Sequence, residues 1–110
     1  MERRSQTRKP LSLAFELFDA NFRLTGQSCD VGPAGLSLSV PTARLKFSPS
    51  ELLDREIGLS FHEQDLKAQL KWYKLDDSAF LLGLAIASQD RARWCRLLNW
   101  PSLTQSASGV

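Results

Sequence analysis

The chain has 110 residues, of which 43% are hydrophobic and 24% charged, with a net charge of +2. That length holds one domain around one core, and the balance is that of a soluble globular domain rather than a disordered one. No apolar run approaches the ~18–20 residues that span a bilayer and no signal-peptide pattern opens the chain, so a cytoplasmic protein without membrane insertion is expected. The charge is unevenly placed. Arg3, Arg4, Arg8 and Lys9 against Glu2 give the first ten residues +3, which leaves −1 for the rest. Such a distribution argues against a broad basic face for DNA or RNA and for a local anion site.

Residues 1–10 carry no hydrophobic periodicity and end at Pro10, so they form an arm rather than part of the core. Leu11, Leu13, Phe15 and Leu17 then alternate with smaller or polar residues, the pattern of a half-buried strand. After a turn at Asp19–Asn21 a second strand runs from Phe22 to Cys29. Leu36, Leu38 and Val40 make a third, stopped by Pro41. Residues 42–54 are irregular except for one helical turn, with Ser48 as N-cap, Pro49 at the first position and Glu51 at the third. Ile57, Leu59 and Phe61 mark strand four, and Leu66, Ala68, Leu70 and Trp72 the inward face of strand five. Ala79 to Ala87 is apolar throughout and reads as a strand buried on both sides. Trp94, Leu97 and Leu98 then recur at helical spacing, which predicts an amphipathic helix over 89–100 with Ser88 as its cap. Residues 101–110 are small and polar and read as a disordered tail.

Six short strands and one helix predict an all-β fold, a six-stranded antiparallel barrel with a C-terminal α-helix over residues 11–100. Phe61, Trp72, Phe80 and Trp94 are assigned to its core. Between strands two and three lies Asp30-Val31-Gly32-Pro33-Ala34-Gly35, where two glycines and a proline within four residues demand a turn. Glycines there allow close backbone approach and convergent amides, and Asp30 adds an acceptor-only carboxylate.

Other chemistries have little to draw on. Cys29 and Cys95 have no metal-ligand or redox spacing and His62 is the single histidine, so no metal site is expected. The sequence offers no convincing nucleophile–base pair, and the carboxylates of Asp76 and Asp77 sit in an apparent turn, so an enzyme is not expected.

Arg4-Ser5-Gln6-Thr7-Arg8 followed by Lys9-Pro10, and then Asp30-x-Gly32-x-x-Gly35 some twenty residues on, resembles the PilZ domain family of bacterial cyclic di-GMP receptors. The family signature is Arg-x-x-x-Arg and then Asp/Asn-x-Ser-x-x-Gly, on a six-stranded barrel with a closing helix. The likeness spans about residues 3–100 and includes Gly83 within the late apolar strand. It implies that Arg4, Arg8, Asp30, Gly32 and Gly35 form the cyclic di-GMP site, with the arm closing over the ligand. In the family an arginine just before the first motif goes with a stacked pair of ligands. Arg3 holds that place, which implies two ligands per chain and no other cofactor. The partner implied is a regulated protein or a fused membrane glycosyltransferase of exopolysaccharide or cellulose synthesis, or a motility component. One departure stands out: Gly32 replaces the family's serine, and a lost hydrogen bond of ~0.5–1.5 kcal/mol weakens binding rather than abolishing it. The alternative is a degenerate PilZ-like domain that binds no nucleotide and acts through protein contacts.

Overall fold

A computed structural model describes residues 9–99. Arg3, Arg4 and Arg8 of the arm and the tail expected over 101–110 lie outside the described residues. In chain order the elements are β1 (Lys9–Pro10), β2 (Ala14–Phe18), β3 (Arg23–Gly32), β4 (Gly35–Pro41), β5 (Glu56–Phe61), β6 (Gln64–Asp76), β7 (Ala79–Ile86) and α1 (Arg91–Leu97). Neighbouring strands run β1-β3-β2-β5-β6-β7-β4, and pairing of β4 with β3 closes the sheet on itself. The result is the expected closed six-stranded antiparallel barrel with one short C-terminal helix. The two residues of β1 are an addition that pairs with β3, antiparallel to it.

The core follows the alternation in the sequence. Phe15 and Leu17 on β2, Ile57, Leu59 and Phe61 on β5, and Leu66, Ala68 and Leu70 on β6 are all buried. From α1, Trp94 is fully buried and sits 5.8 Å from Phe15, whose ring stacks 4.6 Å from Phe61. The helical turn expected near residue 50 is a 3-10 turn at Pro49–Leu52, and Ser48 Oγ accepts from the Ser50 N–H as the cap.

Four local expectations are corrected. First, the turn after β3 is confined to Pro33 and Ala34. Asp30, Val31 and Gly32 still belong to β3, because Gly32 pairs directly with Gly35 across a two-residue loop. Second, Trp72 is not in the core; it is 45% exposed. Third, α1 runs only from Arg91 to Leu97, after a 3-10 turn at Ser88–Asp90, and its N-cap residue is Asp90 rather than Ser88. The Asp90 carboxylate caps nothing, since it accepts instead from the Lys67 N–H at 2.8 Å and from Arg93 at 3.1 Å. Fourth, β7 is buried at Leu82, Gly83, Leu84 and Ile86 but only half-buried from Ala79 to Leu81, although that part pairs with both β4 and β6.

Candidate functional site

Two β-bulges decide what the barrel presents outward. Along β3, Leu24, Gly26 and Ser28 point inward, then the register shifts between Ser28 and Asp30 and Val31 becomes the next inward residue. The extra residue is Cys29. A bulge of one residue exchanges the two faces of the strand beyond it, so Asp30 turns outward. The same happens on β6. Leu66, Ala68 and Leu70 point inward, the register shifts between Leu70 and Trp72, and the indole emerges on the outer face.

These two residues lie on one row. Pro10 pairs with Asp30, Asp30 with Ser37, Ser37 with Gly83, and Gly83 with Trp72. Ser37 Oγ donates to Asp30 Oδ1 at 3.2 Å. A side chain at position 83 would collide with the Trp72 indole, so the ring lies directly over Gly83. With strands spaced about 4.7–4.9 Å apart, the three steps from Asp30 to Trp72 span roughly 15 Å. That is wide enough for a nucleotide-sized ligand.

The two motif glycines have different physical roles. Gly35 is required by packing, because a Cβ there would run into the Leu84 carbonyl oxygen of β7. Gly32 shares the outward parity of Asp30, and its carbonyl accepts a hydrogen bond from Trp94 Nε1 at 2.8 Å. The Cys95 thiol points at the Pro33 carbonyl at 3.5 Å. The turn is therefore seated on α1 through two consecutive helix side chains.

The base of the arm is fastened to β3 beside Asp30. Lys9 pairs with Val31, and the Leu11 N–H donates to the Cys29 carbonyl at 3.3 Å. Buried Ser28 then clips both flanks of the following kink. Its Oγ accepts from the Leu13 N–H at 2.9 Å and donates to the Leu11 carbonyl. Lys9 and Pro10 thus sit at the Asp30 end of the row, and Arg3, Arg4 and Arg8 lie outside the described residues.

The electrostatics of the described row are mainly acidic. Burial, followed by the carboxylates of Asp30 and Asp76, pushes the Cys29 thiol above its ordinary value, so this exposed cysteine stays protonated at neutral pH. Lys9 beside Val31 and Lys74 on the outer face of β6 are the cations near the row. Chemically, the row offers a ring on which a planar group can stack and a carboxylate that accepts from N–H donors.

A groove of about 570 Å³ lies elsewhere, lined by Phe18, Gly58, Lys67, Asp90 and Arg93 among others. Its Phe18 ring covers Gly58 and its Asp90 is already bonded within the protein, so its shape carries less chemistry than the row. Among the described residues no cluster of His, Cys, Asp or Glu could hold a metal ion, and no helix is long and apolar enough to cross a membrane.

Sequence reasoning placed Asp30, Gly32 and Gly35 together but missed Ser28, Ser37 and Trp72 as members of this region. For Trp72 a signal was present. Tyr73 and Leu75, beyond it, take up the apolar alternation one position out of phase with Leu66, Ala68 and Leu70, as they do after a bulge. The two serines carry no comparable mark.

No family model matches the chain, and no curated protein matches it. Solved structures do, in five chains. One is that of the Bacillus subtilis inhibitor of motility MotI/DgrA, a PilZ-domain protein. The superposition has a TM-score of 0.60 with 16% sequence identity, and covers 92% of this chain and 54% of that one. This chain therefore spans about half the length of that protein. What the two have in common is the fold, a barrel of PilZ type.

Proposed function

We propose that this domain is a non-enzymatic receptor module for cyclic di-GMP, which binds on the outward row from Asp30 to Trp72 beneath the N-terminal arm. The observation that carries the reading is the coincidence of two bulges. Each everts one residue, and both everted residues fall on a single cross-strand row whose end receives the arm. In this reading a guanine stacks on Trp72, and Asp30 accepts from the N1–H and N2–H of a guanine edge. Arg4 and Arg8 fork onto phosphate or the O6/N7 edge, and Arg3 supports a second, stacked ligand. Gly32 lets the turn backbone come close to the ligand, while Gly35 lets β4 pack against β7 beneath it. The MotI/DgrA likeness supports a regulatory barrel rather than an enzyme. The signal passes to a regulated protein or a fused membrane enzyme on the cytoplasmic side.

Calorimetric titration with cyclic di-GMP tests this directly. The parent is expected to bind with close to two ligands per chain, Arg3→Leu with close to one, and Arg8→Ala and Asp30→Ala more weakly. Gly32, which lacks the usual hydroxyl, favours a second reading: a domain of the same fold that binds no nucleotide and works through protein contacts. A parent that releases no heat with cyclic di-GMP at saturating concentration overturns the first reading and selects the second. A parent that binds single-stranded oligonucleotides equally well overturns the specificity.

A further inference from the structure

Beyond the ligand row, the structure leaves one sheet edge open. β5 pairs with β6 only from Gln64 to Gln69, and the next stretch of that edge is taken by the segment after the 3-10 turn. Leu53 bridges Leu70 there, the Asp54 N–H donates to the Leu70 carbonyl, and Lys71 Nζ reaches Asp54 Oδ1 at 3.0 Å. From Trp72 to Asp76, β6 pairs with β7 on one side and, among the described residues, with nothing on the other. In an antiparallel ladder closed at Asp76–Ala79 by a two-residue turn, alternate residues aim their N–H and C=O away from the partner strand. Counting back from the closing pair, these are Leu75 and Tyr73. Their side chains share a face with buried Leu82, yet Leu75 is 59% and Tyr73 37% exposed.

We infer that this edge pairs with the same edge of a second copy of the chain, forming a two-fold antiparallel dimer centred on Lys74. The limits of the open edge set the register. Leu53 and Asp54 block it before Trp72 and the Asp77–Ser78 turn ends it after Asp76, so the two five-residue runs fit only with Lys74 opposite the partner's Lys74. A two-fold axis perpendicular to the sheet preserves the faces. Tyr73 then lies opposite the partner's Leu75, and Leu75 opposite the partner's Tyr73, giving two aromatic–aliphatic pairs on one face. The outward amides and carbonyls of these same four residues meet each other. The charges in this register are mixed. Lys74 stands directly opposite the partner's Lys74, a like-charge contact, while each Lys74 also lies diagonal to the partner's Asp76 on the same face, which gives two opposite-charge neighbours against the one repulsive pair. Lysines and a bulge discourage an edge from adding arbitrary strands, and here they leave a self-complementary one.

A five-residue contact buries less than the ~1,200–2,000 Å² of a standard interface, so the dimer is expected to be weak and concentration-dependent. Sedimentation equilibrium of the ligand-free chain up to about 1 mM reads this range of affinity. The parent is expected to associate to a dimer, and Leu75→Lys and Tyr73→Lys to remain monomeric with circular dichroism unchanged. In a Cys29→Ser background, Lys74→Cys should oxidise to a disulfide-linked dimer, since a directly opposed pair places Cα atoms within bridging range. Lys67→Cys, on the paired part of β6, should not. A parent that stays monomeric throughout overturns the inference, as does equal cross-linking at positions 67 and 74. Neither readout involves the nucleotide, so the inference stands or falls apart from the proposed ligand.

Discussion

Asp30 and Ser28 differ in what their side chains do, although two positions apart on the same strand. Asp30 is outward and bonded to Ser37, so Asp30→Ala should weaken ligand binding while changing stability by no more than about 0.5 kcal/mol, the usual range for surface sites. Ser28 is buried and satisfies a donor and an acceptor of the arm base at once. Ser28→Ala leaves the Leu13 N–H and the Leu11 carbonyl without that partner. It should cost about 1–3 kcal/mol in chemical denaturation and accelerate proteolysis near Leu11. Unchanged cleavage there would mean that the arm base is held by the β1 pairing alone. Gly83→Ala must displace the Trp72 ring, so the tryptophan emission should shift to the red even without ligand.

At the scale of elements, α1 is tied to the site turn by Trp94. Trp94→Ala removes a fully buried ring, typically ~3–5 kcal/mol, and should unfold or loosen the domain. Trp94→Phe keeps most of the packing and removes only the donor to the Gly32 carbonyl, so about 1–3 kcal/mol should be lost, with faster amide exchange in the Gly32–Gly35 turn. The start of α1 supplies a pH dependence. The Asp90 carboxylate is held below its ordinary value chiefly by the Lys67 N–H and then by Arg93. A carboxylate with a depressed folded-state value stabilises fully above its unfolded value, near 3.8 here, and that contribution is lost as pH falls through the lowered one. Asp90→Asn should therefore melt below the parent at neutral pH, and the gap should close as pH drops through that window. A gap independent of pH would assign the effect to geometry rather than charge. The elements also show what a sequence reveals. Strand order, the inward faces of β2 and β5 and the burial of Trp94 follow from simple periodicity. Trp72 was misplaced because a bulge is a non-local compromise between two neighbouring strands, and period-two counting carries straight through it. Ser88 is not the cap because residues Ser88–Asp90 form a 3-10 turn and α1 begins only at Arg91. Asp90 found a better partner in Lys67, twenty-three residues away.

For the whole molecule, barrel closure is what brings Asp30 and Trp72 together. They are 42 positions apart, and β4 and β7 lie between their strands, contributing Ser37 and a glycine low enough for the indole to cross. The motif at 30–35 was legible in the sequence, but the row was not, since it exists only once β4 has paired with both β3 and β7. In the proposed function cyclic di-GMP lies along this row. A nitrogen-15 NMR titration of the full chain with cyclic di-GMP tests it most directly, because every amide and the Trp72 indole report position by position. The largest shifts are expected at Val31–Gly35, Ser37, Gly83 and the Trp72 indole, with the amides of Gly58, Lys67 and Asp90 around the opposite groove unmoved. Shifts concentrated in that groove, or none along the row at saturating ligand, would rule out binding on the row.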